Sequence, residues 1–151
     1  MKGDDDDVTI KTERGGILAT EMSCVMLPEI AALMLGVGFD VNRTLCSSGL
    51  PPLGHAAFVG HRSSVRMLLE DAPGISVNQQ DPTTGASPLY LATRQGHATC
   101  VRQLLGAPGI NINQQHPSQG RTSLRIAAQE GHETCVRLLL GAPGININQS
   151  D

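Results

Sequence analysis

Residues 96–114 read GHATCVRQLLGAPGININQ, and residues 131–149 read GHETCVRLLLGAPGININQ. These two stretches differ at only two positions, so the chain encodes the same structural unit at least twice. Each copy has a His three residues before a Cys, a spacing that suits a metal site, half of a catalytic pair or a purely structural unit. The repeat has to be delimited first, because an internal period determines the fold class.

The period extends well beyond these two copies. Gly85 aligns with Gly120 at a shift of 35 residues, and Gly49 aligns with Gly85 at a shift of 36. A more diverged copy of the quoted stretch begins at Gly60, and a weaker copy ends at Asn42. We therefore predict a repeat domain over residues 15–151, with four repeats at about 15–48, 49–84, 85–119 and 120–151.

The first part of each repeat predicts a short helix. In SPLYLATRQGH, Ser87 is a good N-cap, and Pro88 suits the first helical position because its missing N–H is not needed there. Gly96 can adopt the left-handed conformation that commonly ends a helix. This first helix should therefore be about two turns long.

A second helix and a finger follow. Val101, Leu104 and Leu105 form one apolar helix face, and the Gly and Pro residues at 106–109 end that helix. In ININ at 110–113, isoleucine alternates with asparagine, which predicts an extended segment with its isoleucines facing inward. Such a unit cannot bury its apolar face alone, so the copies should stack. Small residues in the first helices would allow close contact between copies: Ala56, Ala57, Ala92, Ala127 and Ala128.

These features resemble the ankyrin repeat family, whose repeat carries a TPLHxAA helix start, a GH between the helices, a V..LL second helix and a Gly-Ala-Asp-Val-Asn finger. The first motif corresponds to PPLGHAA at 51–57, SPLYLAT at 87–93 and TSLRIAA at 122–128. The Gly-His pairs are at 60–61, 96–97 and 131–132. The resemblance implies an all-α repeat solenoid of stacked helix-turn-helix pairs with β-hairpin-like fingers.

The chain departs from the family pattern in several places. Its repeats are 35 or 36 residues long, against about 33 in the family. Gly54, Tyr90 and Arg125 stand where the family has His, so the hydrogen bonds of that His are not expected here. In the first repeat, Leu27 and Pro28 replace the Gly-His pair. The last finger ends near Asp151 without a polar capping repeat, so we expect the native chain to continue, to self-associate or to cover this end with a partner.

Composition and charge narrow the class of partner. The formal net charge of −3 gives no general attraction to nucleic acid or to anionic membranes. No run of eighteen apolar residues occurs, and the start of the chain carries Asp4–Asp7 where a signal peptide would need a basic and then an apolar stretch. We expect residues 1–14 to be a disordered acidic tail, and the protein to be intracellular, in the cytoplasm or the nucleus.

The His and Cys residues of the quoted stretches are better explained by structure than by chemistry. His97, Cys100, His132 and Cys135 could supply four zinc ligands. Equivalent residues of stacked repeats lie about 10 Å apart, however, and do not converge on one ion or form a disulfide. We therefore expect the cysteines to pack as small apolar residues, and the histidines to start the second helices as the resemblance implies. We predict no catalytic residues, no metal site and no cofactor.

A row of arginines should follow the second helices. Arg66, Arg102 and Arg137 occupy one repeat position on the outer side. A solvated row is the simpler interpretation, and an acidic partner is the alternative.

The resemblance to ankyrin repeats implies a concave surface that binds a folded protein. Carried over by position, the contact residues follow the repeat Gly, replace the family's His or end the first helix. They are Leu50, Phe58, Val59, Ala86, Tyr90, Arg94, Gln95, Arg121, Arg125, Gln129 and Glu130. We expect Phe58, Tyr90 and Arg94 to contribute most, because aromatic rings and Arg dominate such sites. The alternatives are a core position for Phe58 and a half-buried one for Tyr90.

Two functions fit this organisation. One is a non-enzymatic interaction module, acting as an adaptor or as a competitive inhibitor that occupies a partner's surface. The other is a segment of a longer ankyrin array, or a scaffold whose array only positions another domain.

Overall fold

The computed structural model of the chain describes residues 40–43 and 49–149. The predicted acidic tail and most of the first repeat, including Leu27 and Pro28, lie outside this range. The described part contains six helices in three pairs, and no strand is found in it. The helices are α1 (Pro52–Val59), α2 (Arg62–Asp71), α3 (Pro88–Gln95), α4 (Ala98–Leu105), α5 (Ser123–Glu130) and α6 (Glu133–Leu140).

Helix α3 begins and ends as the sequence predicts, whereas α1 follows Pro51 and has no side-chain cap. At the start of α3, the hydroxyl of Ser87 accepts a hydrogen bond from the backbone N–H of Tyr90, at 3.2 Å, and Pro88 takes the first helical position. Thr122 caps α5 in the same way. At the end of α3, Gly96 has φ 79°, a left-handed conformation that any other residue would adopt only with strain.

The second helices carry the continuous core. Val65, Val101 and Leu139 are fully buried, and they belong to one apolar cluster that runs through all three helix pairs. Each of these helices presents a single apolar face to the first helices, which is the pattern that the sequence predicts. The core is therefore aliphatic and is shared between neighbouring repeats, as stacking requires.

The finger differs from the sequence prediction. Residues 110–113 do not form an extended segment, because Ile112 and Asn113 lie at a turn in which the N–H of Gln114 donates to the carbonyl oxygen of Asn111. The prediction for the isoleucines is correct in one respect, since Ile110 and Ile112 pack into the core. The alternation of Ile and Asn thus comes from a turn and not from a strand.

The asparagines of the fingers join consecutive repeats. The side-chain amide of Asn78 donates to the carbonyl oxygen of Gly109 at 2.7 Å, and its oxygen accepts from the N–H of Asn111 at 2.8 Å. Asn42 and Asn113 each form the same two bonds with the finger that follows. We refer to this two-bond contact as the asparagine clamp. It fixes the spacing of neighbouring fingers through one polar side chain per repeat.

The stack is tighter on one side than on the other. Consecutive first helices, α1 with α3 and α3 with α5, pack more extensively than consecutive second helices do. Buried small residues make this possible, since Ala57 and Ala92 are both 0% exposed. The side lined by the first helices is therefore the concave side. Ala128 is an exception among the predicted small core residues, because it is exposed on α5, where no following helix covers it in the part of the chain described.

Candidate functional site

The C-terminal ends of α1, α3 and α5 bring together exposed side chains on the concave side. Phe58 and Val59 are 39% and 54% exposed at the end of α1. At the ends of α3 and α5, the positions equivalent to Phe58 and Val59 carry exposed polar residues. They are Arg94, Gln95, Gln129 and Glu130. Because these residues occupy equivalent positions in stacked repeats, they form two parallel rows, which we name the concave rows. Phe58 belongs to this surface and not to the core.

Two of the predicted contact residues are buried. Ala86 and Tyr90 are 4% and 3% exposed, and both belong to an apolar cluster with Leu91 and Ile126. Their assignment as contact side chains is wrong, because both are buried in this cluster and the turn that precedes the next repeat covers the ring of Tyr90. The ring of His116 in that turn lies with its centroid 5.0 Å from that of Tyr90.

The hydroxyl of Tyr90 completes this packing. It donates to the side-chain oxygen of Gln119, at 3.2 Å, in the same turn that carries His116. Burial raises the pKa of Tyr90, and the nearby charge of Glu130 raises it further, while Arg94 and Arg121 act in the opposite direction. Tyr90 therefore anchors the floor of the concave surface and is not a contact residue itself.

The remaining predicted residues surround that floor. Arg94 and Arg125 are exposed, and Leu50 and Arg121 are half-buried. Arg94 and Arg121 both lie close enough to His116 for their charges to act on it, although burial is the larger reason why the pKa of His116 is lowered. Around Tyr90 the concave side thus carries two arginines, Arg94 and Arg121, against one acid, Glu130, and is net cationic, whereas at Phe58 and Val59 it is apolar.

The turn before α5 lies beneath this cationic region, and it lacks the carboxylate that the equivalent turn before α3 has. Asp81 and His116 occupy the same position of successive turns, since the N–H of Asp81 donates to Ala86 and that of His116 donates to Arg121. Burial acts against the charge of Asp81, but hydrogen bonds from Thr84 and Thr83 outweigh it and lower the pKa of its carboxyl. The turn before α3 therefore holds a negative charge, and the turn before α5 holds a neutral imidazole.

The arginines of the second helices are exposed, as predicted. Arg66 lies 3.8 Å from Glu70, and Arg137 forms an ion pair with Glu133. Both pairs are exposed, so each contributes little to stability. These contacts favour the interpretation of this row as a solvated face.

The histidines and cysteines of the quoted stretches have structural roles. His97 and His132 precede α4 and α6, and the Nε2 atom of His97 lies 3.1 Å from the carbonyl oxygen of Phe58 in the preceding repeat. Cys100 and Cys135 are buried in the core, where burial raises the pKa of both thiols and disfavours the thiolate that a metal or a nucleophilic reaction needs. The predicted packing of the cysteines is confirmed.

Between residues 49 and 149, and at 40–43, no group of three or more His, Cys, Asp or Glu side chains is arranged to hold a metal ion. No helix of the described part is long and apolar enough to cross a membrane.

The far side of the last helix pair is open. Leu140 and Ile147 are 51% and 63% exposed, whereas Ile112, the equivalent of Ile147, is 8% exposed. A Cβ atom added at Gly131 would meet nothing within 4 Å, whereas one added at Gly60 or Gly96 would collide with the His of the following repeat. We name this apolar area around Leu140 and Ile147 the end face.

Comparison with known families agrees with this architecture. A family model described as ankyrin repeats (3 copies) matches residues 73–151, more than half of the chain. The chain belongs to the ankyrin repeat family. No curated protein matches it. Ankyrin repeats are generally protein–protein interaction modules and are typically non-enzymatic, so the concave rows of this ankyrin repeat protein are its candidate functional site.

Sequence reasoning identified the concave rows but not two other features. The asparagine clamp was missed, although Asn42, Asn78, Asn113 and Asn148 recur at intervals of 36, 35 and 35 residues. The position of His116 beneath Tyr90 was also missed, because only the folded turn shows which residue covers the ring.

Proposed function

We propose that this ankyrin repeat protein is a non-enzymatic, intracellular interaction module that binds a partner protein on its concave side, as an adaptor or as a competitive inhibitor. The observation that carries this proposal is the composition of the concave rows. Phe58, Arg94 and Gln129 occupy one equivalent position and are all exposed, yet each has a different side chain. By contrast, Leu68, Leu104 and Leu139 occupy one fully buried position and are identical from copy to copy. The concave rows therefore vary at exposed positions, where a partner would make contact.

Three substitutions test the concave site directly. A triple variant, Phe58→Ala, Arg94→Ala and Gln129→Ala, removes contact side chains at exposed positions and should leave the core intact. The matched control is Arg66→Ala, Arg102→Ala and Arg137→Ala, which removes exposed side chains from the second helices. In affinity capture from source-cell lysate, partners retained by the wild type and the control should be lost from the concave variant. Equal capture by all three proteins would refute the concave site.

The end face favours a second candidate function. Its exposed Leu140 and Ile147 present apolar surface of the kind that is buried between the other repeats. We propose that this face is covered by self-association of the chain. The alternative, that the domain is a segment of a longer array or a scaffold that positions another domain, would cover the same face with a further repeat.

Light scattering of the purified protein tests self-association. The wild type should form dimers or larger species as its concentration rises, and Leu140→Ser with Ile147→Ser should remain monomeric. A wild type that stays monomeric and folded at high concentration would contradict self-association and favour the longer array.

A further inference from the structure

Arg94 and Arg121, on the concave side, have no carboxylate partner among residues 40–43 and 49–149. Arg94 lies one helical turn after Tyr90 in α3, and the carbonyl oxygen of Arg121 accepts a hydrogen bond from the N–H of His116. The rings of Tyr90 and His116 lie 5.0 Å apart, centroid to centroid, and the charges of both arginines act on them. On the second helices, Arg66 and Arg137 are each paired with a carboxylate four residues away, whereas Arg102 forms no ion pair in the described part of the chain. We name Arg94 and Arg121 the arginine pair.

The residues beneath the arginine pair do not supply the missing charge. His116 stands where the preceding turn has the buried carboxylate of Asp81, and an imidazole that remains neutral cannot balance two guanidinium groups. Tyr90 is also neutral, and its hydroxyl is already used by Gln119. Glu130 is the nearby acid, but it is exposed at the end of α5 and belongs to the concave rows itself.

The surface next to the arginine pair is apolar. Phe58 and Val59 lie one repeat away, at the positions equivalent to Arg94 and Gln95. Successive repeats in such a stack are separated by about 10 Å. A ligand that spans both regions therefore needs an acidic group and an apolar group separated by about that distance, which is three residues of extended chain.

We propose that the partner presents an acidic side chain to Arg94 and Arg121 and an apolar side chain to Phe58, so that this site selects acidic–apolar protein segments. This inference rests on the proposed function and specifies the chemistry of its partner. Guanidinium groups bind carboxylates through paired, charge-assisted hydrogen bonds, which favours an acidic ligand here. The whole chain carries a net charge of −3, so the selection comes from the local arrangement and not from the overall charge.

A peptide assay on the full chain tests the proposal. The probe is a fluorescein-labelled peptide of repeated Glu-Asp-Leu-Gly units, and its control replaces Glu by Gln and Asp by Asn. In fluorescence anisotropy, the acidic peptide should bind the wild type at least about tenfold more tightly than the control peptide. The double variant Arg94→Gln with Arg121→Gln should bind the acidic peptide about tenfold more weakly than the wild type does. Arg66→Gln with Arg102→Gln, on the second helices, should change affinity by less than about twofold.

Three results would overturn the proposal. They are the absence of binding of the acidic peptide to the wild type, equal binding of the two peptides, and an equal loss in the two variants. Circular dichroism establishes that each variant is folded.

Partner capture separates this inference from the proposed function. Capture that is lost in the concave triple variant but retained in Arg94→Gln with Arg121→Gln would leave the concave site standing and refute its acidic selectivity.

Discussion

The imidazole ring of His132 covers Gly96 of the preceding repeat, and its Nε2 atom lies 3.0 Å from the carbonyl oxygen of Arg94. His97 makes the same contact with Gly60 and Phe58. The residue whose carbonyl is held in this way also provides a side chain of the concave rows. The Gly-His pair therefore fixes the ends of the first helices, on which the candidate site is built.

This contact predicts unequal effects of substituting two equivalent glycines. Gly96 and Gly131 have φ angles of 79° and 75°, so Ala should cost about 1 kcal/mol at either position from backbone strain. At Gly96 the added Cβ would also lie 2.8 Å from the ring of His132. Gly96→Ala should therefore lower the free energy of unfolding by at least about 1 kcal/mol more than Gly131→Ala, measured in urea. Equal losses would show that the ring does not constrain Gly96.

The asparagine clamp makes a second matched pair of variants. Asn113→Ala removes two hydrogen bonds to the following finger, at 2.9 Å and 2.8 Å, and should cost about 1–3 kcal/mol of the free energy of unfolding. Asn148→Ala removes a side chain at the same position of the last finger, whose described hydrogen bond uses only its backbone N–H. Denaturant unfolding should show little change for Asn148→Ala. A comparable loss in both variants would exclude the clamp as the cause.

One buried hydroxyl offers a stabilising substitution. Thr93 is 0% exposed, its Oγ1 atom has no hydrogen-bond partner in the described part, and the other two first helices carry Ala at this position. Thr93→Val keeps the volume and removes the unpaired hydroxyl, so it should raise the free energy of unfolding by about 1 kcal/mol. As the control, Thr122→Val removes a hydroxyl that caps α5 and should destabilise by about the same amount. A destabilised Thr93→Val would mean that this hydroxyl has a partner in solution.

The pKa of His116 predicts a pH dependence of stability. Burial first, and then the charges of Arg94 and Arg121, hold its pKa below the ordinary value of 6.5. Between the pKa of His116 in the folded chain and its pKa in the unfolded chain, the unfolded chain binds more protons. The free energy of unfolding that is present above about pH 6.5 is therefore lost as the pH falls through this range. His116→Gln should reduce this loss between about pH 7.5 and about pH 5.5. Part of the loss should remain, because burial also lowers the pKa of His55.

Urea midpoints at the two pH values provide the measurement. An unchanged loss of stability in His116→Gln would assign the pH dependence to other groups.

The sequence was sufficient for features that depend on local interactions. The cap at Ser87 and the left-handed Gly96 are each determined by residues within one turn of helix, and both are as predicted. The apolar face of α4 is likewise encoded by its own spacing, since Val101 and Leu104 are both fully buried. The repeat period of 35 or 36 residues then predicted that the copies stack.

Features that depend on the neighbouring repeat could not be predicted in this way. Tyr90 is buried because the next turn covers it, whereas Arg125 at the equivalent position is exposed. The finger at 110–113 forms a turn, although its alternation is equally compatible with a strand. The arginine pair becomes apparent only when Arg94 and Arg121 are placed around the same rings.

Site-specific crosslinking tests the central claim, that the concave side binds a partner protein. The photoreactive residue benzoylphenylalanine replaces exposed Gln95 in one variant and exposed Arg102, on the second helix of the same repeat, in another. After illumination in source-cell lysate, we expect a crosslinked protein from position 95 that is absent from position 102. Crosslinks only from position 102, or the same products from both positions, would contradict it.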